Sequence, residues 1–228
     1  MLNFLRARSL SLSMVVLVLL AILLLQGAIS YSVAFGRLDR YAPGLRGSPL
    51  AEGWLALRVL LLLLIVGLWL FNRKRVLFRA IIMLNGVFTL GLVGNMVALV
   101  TVLTGFTAQD VQTLMTGVIF MAVSNILIFS IWYWIIDPPG VEETLRADAP
   151  WDFLFPQRAG ELPCYENWLP RYTDYLYVAF TTSVAFSPTD TLPLTRRAKV
   201  LMLLQATISL VTLTGIAGSA INILAGSR

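Results

Sequence analysis

Apolar and polar positions in this chain alternate on the scale of whole helices rather than single residues. Predominantly apolar runs cover about Leu12 to Phe35, Trp54 to Phe71, Leu77 to Leu103, Val111 to Ile136 and Arg197 to Ala225. Lengths of this order suit helices that cross a hydrocarbon core, which takes about 20 residues. One stretch breaks the pattern. From Asp174 a short aromatic helix runs into a turn at Thr181-Thr182-Ser183-Val184, followed by Asp190, Pro193 and Arg196-Arg197-Ala198-Lys199 before the last apolar run. A helix of about a dozen residues is too short to span. A half-length helix, polar backbone and then a full-length helix is how a membrane protein builds a re-entrant loop, and such backbone survives at membrane depth only where protein or a watery cavity shelters it. The pattern predicts an all-α polytopic bundle of five spanning helices plus a re-entrant half-helix and loop. Six spanning helices is the alternative, with Trp168 to Phe186 crossing fully. One transmembrane domain covers 1–228, with 137–170 as a surface cap and 171–195 as the re-entrant segment.

Composition supports a membrane address. Hydrophobic residues make up 58% and charged residues 13% of the 228, against about 45–50% and 25% in soluble domains. The net charge of +5 does not indicate nucleic acid, because the basic residues cluster beside apolar runs, where they set orientation and touch anionic lipid. The chain has no histidine, which excludes a histidine base or ligand. Cys164 is the single cysteine, an inert loop thiol without a partner for an internal disulfide.

The first run, preceded by Arg6 and Arg8, ends near Ser32-Val33-Ala34, which resembles a signal cleavage site. It is longer than a signal core of about 7–15 residues, so an uncleaved helix is favoured. Gly36 to Gly53 is a turn-rich connection with Pro43 and Pro49. Arg58, one turn inside the second run, snorkels to the interface beside Trp54. Asn72-Arg73-Lys74-Arg75 and Arg79 form the densest basic cluster. In the third run Asn85, Gly86, Gly91, Gly94 and Asn95 suit close helix packing, with amide bonds worth about 0.6–2 kcal/mol each; a solute site is the alternative. Gly105 to Gln109 is a short turn. Ser124 and Asn125 lie near the middle of the fourth run, and Trp132, Tyr133 and Trp134 mark its far end as an interfacial aromatic belt. Asp137-Pro138-Pro139-Gly140 stops that helix. Trp151, Phe153, Phe155 and Trp168 make the following hydrophilic stretch a compact cap rather than a disordered linker. Along the last run Gln205, Ser209, Thr212, Gly215, Ser219 and Asn222 share one helix face, which either lines a cavity or forms a seam with other helices.

Two resemblances follow from these residues. Tyr175 to Ser187, then Asp190, Pro193 and Thr195, resembles the pore region of the potassium-channel pore-loop superfamily: an aromatic pore helix, a Thr-Val-Gly-Tyr-Gly filter, then Asp, Pro and Thr. The likeness runs from Asp174 to Leu224. Ser183-Val184-Ala185-Phe186-Ser187 stands in place of the filter, with both glycines replaced and Pro188 and Thr189 inserted before Asp190. Those glycines let successive carbonyls face the ion. The resemblance therefore implies a degenerate pore loop, wide and non-selective or plugged. Its site residues are Thr181, Thr182, Ser183, Val184, Ala185, Phe186, Ser187 and Asp190. Phe153-Leu154-Phe155-Pro156, Asp174-Tyr175-Leu176-Tyr177 and Ala185 to Asp190 also resemble a family of uncharacterised bacterial integral membrane proteins, which implies a bacterial inner-membrane address and no particular activity.

With five spans and the N-terminus inside, Arg6, Arg8 and the Arg73 to Arg79 cluster fall on the cytoplasmic side, as positive charge prefers. That places the re-entrant segment on the cytoplasmic side, opposite to potassium channels. Six spans keep the cluster inside but put Arg196, Arg197 and Lys199 outside. The expected function is a pore-like homo-oligomer in the lipid bilayer that passes monovalent cations or small solutes past Thr181 to Ser187. Asp190 then concentrates cations, caps a turn, or pairs with Arg196 or Arg197. The alternative is a non-conducting scaffold or accessory subunit. No enzyme is expected: the chain lacks a Gly-x-Ser-x-Gly elbow, a phosphate loop and a metal cluster, and its two lysines, Lys74 and Lys199, sit at membrane edges. No cofactor is implied.

Overall fold

The computed structural model describes residues 9–29, 74–102, 111–137, 151–159, 163–165, 168–187 and 190–216, a few helical positions between 53 and 67, and positions 218 and 225. The elements in order are α1 (Ser9–Ile29), α2 (Lys74–Val102), α3 (Val111–Ile136), β1 (Phe153–Leu154), α4 (Pro156–Ala159), a 3-10 turn (Pro163–Tyr165), α5 (Tyr172–Ala185), β2 (Leu192–Pro193), α6 (Arg196–Leu210) and a π-helical turn (Val211–Ile216). The chain is mostly helical, as the apolar pattern predicts. Val76–Val97 of α2 and Met115–Ile136 of α3 are long and apolar enough to cross a membrane, while α1 contributes the shorter apolar stretch Met14–Gly27. The Gly36 to Gly53 connection (apart from Gly53), most of the second run with Arg58, the turn at Gly105 to Gln109, Pro138 to Gly140, the Pro188-Thr189 insertion, and Ser219 and Asn222 lie outside the described residues.

Helix α3 ends where the sequence dictates. The Asp137 N–H still reaches the Tyr133 carbonyl at 3.2 Å, and Pro138 then disfavours helical geometry at the residue before it. Helix α5 starts at Arg171, whose N–H donates to Asp174 Oδ2 at 2.6 Å, while the Asp174 N–H donates to the Arg171 carbonyl at 3.0 Å. An acidic group in the first turn also suits the positive end of the helix dipole. The helix stops at Phe186, which takes the left-handed conformation at φ 56°. It is the one non-glycine with positive φ among the described residues. That position usually belongs to glycine, and a side chain there costs about 1–2 kcal/mol.

Strands β1 and β2 pair antiparallel, Phe153 opposite Pro193 and Leu154 opposite Leu192. The Leu194 N–H continues the pairing to the Asp152 carbonyl at 2.9 Å. Proline fits here because a two-stranded ribbon leaves one edge of each strand unpaired.

Two compact units are present: Met1–Val18 with Ile126–Thr207, and Leu19–Asn125 with Ile208–Arg228. The first is built on a run of aromatic rings. Phe129 meets Tyr133 at 6.3 Å between centroids, Tyr133 meets Phe153 at 5.2 Å, Phe153 meets Tyr175 at 6.4 Å, and Phe155 meets both Tyr175 and Trp168 at 5.6 and 5.5 Å. Such tilted pairs each contribute about 0.5–1.5 kcal/mol beyond area burial. Tyr133 and Trp134 are fully buried, which corrects their reading as part of an interfacial belt: their rings close the core of this unit instead of meeting the membrane surface. In the cap, Arg158 lies over the Trp151 ring, and Cys164 is exposed.

The second unit has an apolar core that includes Leu19, Ile22, Ile81, Leu84, Phe88 and Leu92, with Gln26, Asn85, Ser124, Asn125, Ser209 and Thr212 buried among them. Gln26 Nε2 donates to the Phe88 carbonyl at 2.7 Å and joins α1 to α2. Asn125 Nδ2 donates to Ser209 Oγ at 2.8 Å and joins α3 to the end of α6. The polar face of the last helix is thus a helix–helix seam at Ser209. The π-helical turn that follows packs on α2.

Candidate functional site

The first unit gathers its polar chemistry around three chain positions far apart in sequence. Asp137, at the end of α3, is fully buried. Its Oδ1 accepts the backbone N–H groups of Asp152 and Phe153 at 3.0 and 3.3 Å, and its Oδ2 accepts the Tyr175 hydroxyl of α5 at 2.7 Å. Burial pushes the Asp137 carboxyl above its ordinary value of 3.8, opposed by those three hydrogen bonds and by the charge of Arg158. Asp152, likewise buried, takes a two-pronged grip from Arg197: Nε donates to Oδ1 at 2.6 Å and Nη2 donates to Oδ2. The Thr195 hydroxyl also donates to Asp152 Oδ1, and Arg197 Nη2 reaches the Ile136 carbonyl at 3.2 Å. The end of α3, the cap, the strand pair and the start of α6 are therefore fastened together by one network. Arg197 pairs with Asp152, where the sequence had offered Asp190 as a partner.

Helix α5 leaves from this network and comes back to it. β1 precedes the helix, β2 follows it, and the two strands pair. Between them α5 runs alongside α6. Gln205 lies eight residues beyond Arg197, about 12 Å along the helix axis at 1.5 Å per residue. There its Nε2 donates to the Ala179 carbonyl in the middle of α5 at 2.8 Å, and its Oε1 accepts the Tyr133 hydroxyl of α3. Nearer the start of α5, the Tyr172 and Ser130 hydroxyls bond at 2.6 Å.

The predicted site residues fall into two groups. Thr181, Thr182, Ser183, Val184 and Ala185 belong to α5, which corrects the expectation of a turn at Thr181 to Val184. The physical reason is visible in the hydroxyls. Thr181 Oγ1 donates to the Tyr177 and Val178 carbonyls at 3.1 Å each, and Thr182 Oγ1 donates to the Val178 carbonyl at 2.7 Å. Each satisfies itself on its own helix, so the run of hydroxyls does not break it. Thr182 and Ser183 are buried, whereas Val184, Ala185, Phe186, Ser187 and Asp190 are exposed. The turn begins at Phe186, not at Thr181. Asp137, Asp152, Tyr133 and Tyr175 are the residues that sequence reasoning passed over. Asp137 reads there only as a helix stop. The usable signal was an acid flanked by aromatic residues in a cap that must fold, as in Trp151-Asp152-Phe153.

The buried amide allows a direct test. Gln205→Leu strands the Tyr133 hydroxyl, and unfolding of the purified protein in detergent, followed by tryptophan fluorescence, is expected to show a loss of about 1–3 kcal/mol. Adding Tyr133→Phe removes the stranded donor and recovers most of the loss, because deleting both partners of a bond is close to neutral.

No protein-family model, no curated protein and no solved structure matches this chain.

Proposed function

We propose that this chain is a multi-pass protein of a bacterial inner membrane in which α5 enters the bilayer partway and returns. Several copies would bring this element together as a pore-like passage for monovalent cations or small polar solutes. One observation carries the reading: a helix of 14 residues, about 21 Å long, departs from and returns to one strand pair, while Gln205 holds its middle about 12 Å along α6. A spanning helix would deliver its two ends to opposite faces. Val184, Ala185, Phe186 and Ser187 are exposed at the tip, and irregular backbone at membrane depth needs protein or water around it. Neighbouring copies supply that cover. Because the Thr181 and Thr182 hydroxyls are turned onto their own helix, the passage is lined by the chain from Phe186 to Asp190.

The second reading is a non-conducting scaffold or accessory subunit. It is favoured by the helical state of Thr181 to Ala185, which withdraws those carbonyls from any permeant ion. Flux separates the two. Protein reconstituted in liposomes is expected to release potassium or sodium faster than empty vesicles, and Asp190→Asn slows the release several-fold by removing the charge beside the turn. Absence of flux at every voltage and pH tested leaves the scaffold.

A further inference from the structure

The second compact unit carries a polar layer that the α5 reading does not use. Asn125 lies ten residues from Met115 and eleven from Ile136, the ends of the apolar span of α3. Phe88 lies twelve residues from Val76 and nine from Val97. The bonds Gln26 to Phe88 and Asn125 to Ser209 therefore fix α1 against the middle of α2, and the end of α6 against the middle of α3. Gln26, Ser124 and Thr212 are all fully buried or within 2% of it.

At this depth the amide donors are spent and acceptor oxygens are left over. Gln26 Nε2 goes to the Phe88 carbonyl and Asn125 Nδ2 to Ser209. Gln26 Oε1, Ser124 Oγ and Thr212 Oγ1 have no hydrogen-bond partner among the described residues. Other hydroxyls along these helices behave differently. Thr89 and Thr207 donate to the carbonyls four residues back at 2.8 Å each, the cheapest way for a hydroxyl to be satisfied inside a bilayer. Ser124 and Thr212 forgo that bond. Thr212 stands in the π-helical turn, a widened geometry that recurs at functional sites, and that turn packs on α2.

We propose that this layer is a binding site for one monovalent cation, held at mid-membrane by the uncharged oxygens of Gln26, Ser124 and Thr212. Neutral oxygens replace the hydration shell of such an ion. Divalent ions call for carboxylates, and the buried polar residues of this unit are all uncharged. An anion would need the donors already committed to Phe88 and Ser209. The site lies within one copy of the chain and does not depend on the α5 passage, so a failure of flux leaves it standing.

The test is a salt series on the purified full-length chain in lipid nanodiscs. The unfolding midpoint is measured in sodium, potassium and N-methyl-D-glucamine chloride at equal ionic strength. A saturable rise with sodium or potassium over N-methyl-D-glucamine is expected, lost in Ser124→Ala/Thr212→Val and retained in Thr212→Ser. Equal midpoints in all three salts, the result of a layer that holds only water, overturn the proposal. So does a rise that survives in the paired variant. The wild-type series decides alone where that variant fails to fold.

Discussion

Asp137→Ala is expected to cost about 4 kcal/mol in unfolding free energy. It strands two buried backbone N–H groups and the Tyr175 hydroxyl, each worth about 1–3 kcal/mol when left unpaired. Asp137→Asn costs less, about 1–2 kcal/mol, because one amide oxygen still accepts from Asp152 and Phe153 while the amide nitrogen donates to the tyrosine oxygen. The two variants also differ in pH dependence. Burial raises the Asp137 carboxyl above 3.8 in the folded protein, so the folded state holds that proton more tightly than the unfolded chain. Its contribution is complete below 3.8, declines as pH rises through the raised folded value, and is flat above it. The stability advantage of the native protein over Asp137→Asn should accordingly be largest in acid and shrink toward neutrality. Denaturant unfolding of both proteins across that range measures the difference, and an advantage that grows with pH would contradict the assignment.

The second large effect is at Arg197. Arg197→Met leaves the fully buried Asp152 carboxylate without its cation, a class of change that costs about 3–5 kcal/mol. The Arg197 side chain is 58% exposed, so solvent screens part of the pairing and the lower end, about 3 kcal/mol, is expected. Adding Asp152→Asn recovers most of it, since the penalty lies in the uncompensated charge rather than in the lost attraction. Arg197→Lys is an incomplete substitute, because an ammonium cannot make the Nε and Nη2 fork to Asp152 together with the bond to the Ile136 carbonyl. Comparing the four proteins by thermal unfolding gives the coupling directly. Additive losses in the double variant would mean that Asp152 and Arg197 do not act as a pair.

The parts of the fold written in local pattern were legible. The bounds of α3 match the apolar run, because an Asp-Pro-Pro stop follows it at once. The half length of α5 was readable from its aromatic residues alone. Features that depend on distant partners were not. Asp152 and Arg197 are 45 positions apart, and nothing in either neighbourhood specifies the other. Two-residue strands are too short to carry an alternating pattern. Thr181 and Thr182 suggested a turn because hydroxyls compete with helix bonds in the abstract; here they bond carbonyls that are already helical. Phe186 was unreadable for the opposite reason, since the residue type that normally marks a left-handed stop is absent. The π-helical turn has no residue signature, although the polar stripe through Ser209 and Thr212 pointed to its face.

The stitched strands have a consequence for biogenesis. On the re-entrant reading, everything between Leu154 and Leu192 starts and finishes beside the same anchor, so none of its charged residues has to be translocated to the far side. The excursion can be inserted last, after α3 and α6 are seated, from the compartment where it was synthesised. Assembly then ends with Arg197 closing on Asp152, and the order in which these two events become resistant to protease during synthesis into membranes reports it.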